Sequence, residues 1–210
     1  PLVQYLAQLL QNEGWKPAII SRGYGGRAKD RVNIVSNGQQ VLLDAVQAGD
    51  EPLLLAESLP GVPVLTGIVR HLPAREAIAM GADVLVLDDG FQHLAVQRDV
   101  NLVLFNADRL AGNSRVFPGG DLREPVSALN RATAFVLTAV TEKNRDRAKL
   151  FAELLKRKFP QKPVHFSSYS AKAALKLQPD GTCETVSLDV VRQSQADCAF
   201  AFCGIAEPDS

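Results

Sequence analysis

The chain has 210 residues, 46% of them hydrophobic and 22% charged, which is too apolar for a disordered protein and long enough for one large domain or two small ones. Lys plus Arg and Asp plus Glu both number 23, so bulk charge makes no case for a nucleic-acid partner. No apolar run approaches the roughly 18 residues that a membrane span needs, no leader peptide is visible, and Cys183, Cys198 and Cys203 lack CxxC spacing, which points to a reducing, cytoplasmic compartment without a disulfide framework or zinc site.

Leu2, Val3, Leu6, Leu9 and Leu10 recur at helical spacing and predict an amphipathic helix closing near Asn12 and Gly14. Pro1 suits the first helical position. The helix therefore begins at the first residue, and the apolar stretch 199–202 is followed by only a short tail, so a chain interrupted at both ends is expected. Residues 17–21 (PAIIS) form an apolar strand that runs into the glycine-rich turn 22–26. Residues 33–35 and 41–43 suggest a hairpin around Asn37 and Gly38. A helix is expected over 48–59, led by Asp50 and Glu51, then a strand at 62–65 and a helix at 75–80 stopped by Gly81. Residues 84–87 (VLVL), 102–105 and 134–137 are further apolar strands. Such strands, alternating with helices, predict an α/β fold with a mostly parallel sheet covered on both faces. The charged stretch 141–149 leads into a helix through Leu155 and is the expected domain edge, giving 1–140 as a core and 141–210 as the start of a second, smaller α/β domain. An alternative edge lies just after Gln92. In the second domain, 164–166, 171–175 and 198–202 read as strands.

The chemistry concentrates at strand ends. VLVL runs directly into Asp88 and Asp89, which places two carboxylates at the carboxyl edge of a parallel sheet, where ligands bind in open α/β folds. A hard cation such as Mg²⁺ takes oxygen ligands of this kind, although a strand can also end in a solvated Asp pair. In SRGYGG (21–26) the glycines allow close backbone approach to an anion, and Arg22 offers a planar fork for phosphate. Asp50 and Glu51 either complement a helix dipole or take a proton from a substrate hydroxyl. Gln92 and His93 occupy the loop after the Asp pair. Residues 117–125 (FPGGDLREP) form a rigid loop, for binding or merely for turning the chain.

Taken in order, SRGYGG, GDEPLLLA, VLVLDDGFQH, RDV, GNSRVFPGGDLREP and FCGIAEP resemble the tetraacyldisaccharide 4′-kinase family, the lipid A 4′-kinases. The resemblance runs from Ser21 to Pro208. It implies a P-loop NTPase-like kinase of two α/β domains that moves the γ-phosphate of ATP, with Mg²⁺, to the 4′-hydroxyl of an acylated glucosamine disaccharide 1-phosphate. It also implies a monomer in peripheral contact with the cytoplasmic face of the bacterial inner membrane. Carried over by position, Asp50 is the base that activates the hydroxyl, with Glu51 beside it near metal and phosphates. Asp88 and Asp89 match the acids that handle Mg²⁺. Arg22, Tyr24, Arg70, Gln92 and His93 would line the phosphate and substrate pocket.

The family's amphipathic N-terminal helix and GGxGKTP nucleotide loop would precede Pro1, and an assisting histidine would follow Ser210. Gly119, Gly120 and Asp121 stand where the family has AGP, and Asn106 where it has Asp. The 210 residues alone are therefore expected to be inactive. The alternative is a non-catalytic nucleotide-sensing or partner-binding module on the same sheet, for which a base such as Asp50 has no purpose.

Overall fold

In the computed structural model, residues 1–170, 173–178, 181–187 and 189 are described. The chain divides into two compact units, Pro1–Asp99 and Val100–Ser210. The division falls between the two edges the sequence suggested, near Thr141 and after Gln92. Strands 102–106 and 134–138 go with the second unit because they pair with each other, and the latter with the strand at 164–166, in continuous parallel register.

In the first unit, α1 (Leu2–Asn12) precedes β1 (Pro17–Ser21), whose five residues are all buried. β2 (Asn33–Asn37), β3 (Pro63–Thr66) and β4 (Val84–Leu87) complete a sheet of order β2-β3-β1-β4, parallel except for β2. β2 pairs with β3 in antiparallel register, and the hairpin expected at 33–43 forms only as a short turn after it, in which the Asn37 N–H donates to the Gln40 carbonyl and the Leu42 N–H to the Val35 carbonyl, bridging Val41 to Ser36. The Asn37 side-chain oxygen accepts the Gln39 and Gln40 N–H groups and fixes that turn.

The helix expected over 48–59 is two helices, α2 (Ala45–Ala48) and α3 (Asp50–Ser58), broken at Gly49 with φ 88° and ψ 155°. Asp44 caps α2 through the Gln47 N–H. The helix before β4 starts earlier than expected, as α4 (His71–Ala79). The crossover from β1 to β3 and that from β3 to β4 run in opposite directions across the sheet, so a constant hand puts α3 and α4 on opposite faces. The core follows suit. Ala7, Ile19, Val35, Leu55, Leu59 and Val64 pack on one face, and Ala18, Ile20, Leu65, Ala74 and Ala77 on the other.

The second unit has the parallel sheet β5 (Leu102–Asn106), β6 (Ala134–Thr138) and β7 (Val164–Phe166), with a 3-10 turn at Val126–Arg131 and α5 (Arg145–Lys158). Phe105 packs edge-on against Phe151 at 5.1 Å between centroids, and Phe135 lies 5.4 Å from Phe159. Asp146 in the first turn of α5 and Lys156, Arg157 and Lys158 in the last complement its dipole. The strand expected at 171–175 is β8 (Ala173–Leu177), in an antiparallel hairpin with β9 (Cys183–Ser187). The strand expected at 198–202, like the FCGIAEP motif, lies outside the described residues. Among the described residues no helix is long and apolar enough to cross a membrane.

Candidate functional site

Because β1, β3 and β4 are parallel and in register, their carboxyl ends lie side by side: Ser21 is opposite Thr66, and Ile20 opposite Leu87. The residues that succeed each strand therefore emerge together. They are Arg22–Gly26 after β1, Gly67–Arg70 after β3 and Asp88–His93 after β4, all within the first unit.

The turn after β4 is set by its backbone. Asp88 continues the strand, its N–H donating to the Ile20 carbonyl. Asp89 then adopts φ 47°, a left-handed conformation that Asp tolerates better than most residues. Gly90 comes next, where an added Cβ would lie 2.7 Å from that of Leu87. The sequence DDG is thus what turns the chain here and presents two successive carboxylates.

Two side chains hold Asp88. The Ser21 hydroxyl donates to its carboxylate at 3.4 Å. Arg70, only 1% exposed, donates to its backbone carbonyl at 3.1 Å and to that of Gly67 at 3.5 Å. Burial lowers the Arg70 pKa, the nearby Asp88 and Asp89 charges oppose that change, and Arg22 reinforces it. These four charges therefore lie within electrostatic reach of one another. The Arg70 Nε has no hydrogen-bond partner. Arg70 is accordingly turned inward, as a brace under the Asp88 loop.

His93 lies over the same region. Burial lowers its pKa first, then Arg70, with Arg22 and Arg98 adding to the effect, and a hydrogen bond to the Ile68 backbone works the other way. Arg98 clamps the loop by donating to the carbonyls of Gly90, at 2.9 Å, and of His93. Gln92 is exposed, and its carbonyl accepts the Leu94 N–H.

The acidic helix start meets the 22–26 turn through interlocking glycines. A Cβ on Gly49 would lie 2.5 Å from the Tyr24 carbonyl oxygen, and one on Gly26 would lie 2.5 Å from the Gln47 carbonyl oxygen. The N–H groups of Arg27 and Ala28 donate to the carbonyls of Val46 and Gln47. The 22–26 turn is thereby seated on the α2–α3 junction, with Asp50 and Glu51 opening α3, both exposed. The Tyr24 ring stands in solvent, 87% exposed. Asp88, Asp89 and Glu51 do not assemble into a three-carboxylate ligand group, and no cluster of three or more metal-ligating residues occurs among the described residues.

Sequence reasoning missed Ser21 as a partner of Asp88, and Arg98 as the clamp of the adjoining loop. A hydroxyl ending a strand beside an acidic strand end was the available signal for the first. In the second unit, Glu124 pairs with Arg131 at 2.7 Å. Gly120 is required where the chain passes Asn113 and the Arg115 carbonyl, so the 112–125 loop is ordered by close backbone approach.

A family model described as tetraacyldisaccharide-1-P 4′-kinase (LpxK) matches residues 1–210. A tetraacyldisaccharide 4′-kinase of Desulfotalea psychrophila is 46% identical over 210 residues, covering 100% of this chain and 58% of the relative. One from Syntrophus aciditrophicus is 54% identical over 140 residues, covering 66% of this chain and 37% of the relative. A crystal structure of LpxK from Aquifex aeolicus, described as in complex with ATP, superposes with a TM-score of 0.67 at 32% identity, covering 91% of this chain and 55% of that one. The chain thus spans little more than half the length of the relatives it matches end to end.

Proposed function

This chain belongs to the tetraacyldisaccharide-1-P 4′-kinase family, and on that premise we propose that it carries the acceptor-activating and metal-binding part of an enzyme that phosphorylates the 4′-hydroxyl of a tetraacyldisaccharide 1-phosphate with ATP. The enzyme would act as a monomer, peripherally, at the cytoplasmic face of the bacterial inner membrane. One observation supports the reading: at the carboxyl ends of β1, β3 and β4, Ser21 and Arg70 both bond to Asp88, Arg22 and Asp89 lie within electrostatic reach, and the Gly49–Tyr24 approach seats the 22–26 turn against the start of α3.

Asp88 and Asp89 are the residues we assign to Mg²⁺. The donor set fits, because Mg²⁺ keeps several waters and takes only one or two carboxylates beside substrate phosphates. Bound there, the ion would offset charge on the transferring phosphoryl group. Arg22, on the exposed turn after β1, would pair with phosphate oxygens. Arg70 serves as a positioning residue, its buried guanidinium fixing the Asp88 backbone. Asp50 takes the proton from the acceptor hydroxyl, whose oxygen bonds to the γ-phosphorus as the bond to the β–γ bridging oxygen breaks and ADP leaves. Glu51, on the same helix turn, adds negative charge on the metal side. Most of the acceleration then comes from placement and fixed charge. His93, held toward its neutral form, and Gln92 border the acceptor.

The test uses the full-length enzyme. ATP consumption should require both the acylated disaccharide 1-phosphate and Mg²⁺, and chelation should abolish it. Turnover indifferent to the acceptor would overturn the kinase reading.

A further inference from the structure

The chain that leaves β4 is anchored by two separate arginines. Up to Asp88 the backbone still belongs to the sheet: the Asp88 N–H donates to the Ile20 carbonyl, and the Asp88 carbonyl accepts from buried Arg70. Asp89 then takes φ 47°. A residue with a side chain stays in that left-handed region only where its surroundings hold it there. On the far side the hold comes from further along the chain. One nitrogen of the half-buried Arg98, Nη1, donates to the Gly90 carbonyl at 2.9 Å and also to the His93 carbonyl. The Gly90 carbonyl accepts the His93 N–H as well, at 3.0 Å. The carbonyls of Gly90 and His93 are therefore both turned onto one cation, and hydrogen bonds from a charged donor are stronger than neutral ones.

We propose that Arg98 is the positioning residue of Asp89: by closing the 90–98 loop onto its guanidinium, it fixes the backbone that aims the Asp89 carboxylate at Mg²⁺. This rests on the kinase reading, in which Asp88 and Asp89 take the metal. The two arginines then divide the acid pair between them. Arg70 braces the backbone of Asp88, and Arg98 braces the backbone that follows Asp89. Groups that orient a metal ligand without touching the metal typically cost about 10–100-fold in metal affinity or activity when removed. Because one nitrogen serves both carbonyls, the role asks for a cation at that point and not for a two-pronged fork. Lysine, a single ammonium on a flexible stem, can supply that.

The experiment compares Arg98→Met and Arg98→Lys with wild type in the full-length enzyme. One measurement is direct binding of Mn²⁺, which shares the oxygen ligands of Mg²⁺, followed by electron paramagnetic resonance with ADP present and no acceptor. The other is the Mg²⁺ dependence of turnover at saturating ATP and acceptor. Arg98→Met should weaken Mn²⁺ binding about tenfold and raise the Mg²⁺ needed for half-maximal turnover by a similar factor, while KM for the acceptor stays within about twofold. Arg98→Lys should bring both metal readings back to within about threefold of wild type. Arg157→Met, the same change at an exposed position in the last turn of α5, should move neither. A variant that melts at lower temperature yet handles both metals as wild type does overturns the proposal, because Arg98 is then only structural. Equal losses in Arg98→Met and Arg98→Lys overturn it as well. If Arg98→Met does not fold, Arg98→Gln, which keeps one neutral donor, is read in its place, and failure of both to fold overturns the proposal. If wild type does not phosphorylate the acceptor, the kinase reading falls and Mn²⁺ binding alone judges Arg98. Wild type that binds no Mn²⁺ overturns the metal assignment and the proposal together.

Discussion

β1 and β6 are built alike. Each has five residues buried from end to end in a parallel sheet, yet their carboxyl ends are used differently. After β6, polar groups close on one another: Asn144 accepts the Thr141 N–H at 2.8 Å and donates to Asp108 and to the Ala139 carbonyl at 2.9 and 3.0 Å. After β1 and its neighbours, capacity is left over. The Arg70 Nε lacks an acceptor, Asp50 and Glu51 face solvent, and two arginines stand near two aspartates. Buried polar groups ordinarily satisfy each other, so a cluster that does not is arranged for something that arrives.

The comparison breaks if changes at the two ends have the same consequence. In the full-length enzyme, Asp50→Asn should lower kcat by about 10²-fold or more with ATP affinity kept, the size expected for losing a general base. Steady-state kinetics with an independent ATP-binding measurement decides it. Asn144→Ala should do the reverse, costing about 1–3 kcal/mol of stability through unsatisfied buried groups, read as a shift in denaturant midpoint, with kcat nearly unchanged. Gly49→Ala sharpens the contrast. It should cost on the order of 1 kcal/mol of stability, because alanine is strained at this φ and meets the Tyr24 carbonyl, and it should lower kcat by displacing Asp50.

The smallest effect is a pH dependence. The folded-state pKa of His93 lies below its ordinary value of 6.5, so the unfolded chain takes up the proton first. The stability contribution is complete above 6.5 and is lost as pH falls through the lower folded value. His93→Gln should flatten that decline as pH falls below 6.5, monitored by thermal melting.

Strands were the most legible part of the sequence, because continuous apolar runs such as PAIIS and VLVL have few alternatives once turns bracket them. The acid pair after VLVL was legible for the same reason, since a strand end fixes where the next residues emerge. The break at Gly49 was not. Pro52 disfavours a helix running unbroken through Ala48 and suits a first turn starting near Asp50, but the close approach that demands glycine at 49 comes from Tyr24, which is remote in sequence. Nor did the sequence reveal that Arg70 points inward. An arginine after a strand reads as an open phosphate ligand, and only the carbonyls of Gly67 and Asp88 show that it is a brace. Where one compact unit gives way to the next depends on which strands pair, a property that apolar runs do not encode.

The meshed glycines at 26 and 49 have a mechanical meaning. With no side chain to act as a cushion, backbone rests on backbone, so neither loop yields without moving the other. A push on the turn bearing Tyr24 is geared straight to the helix bearing Asp50, and whatever docks against the first adjusts the aim of the second.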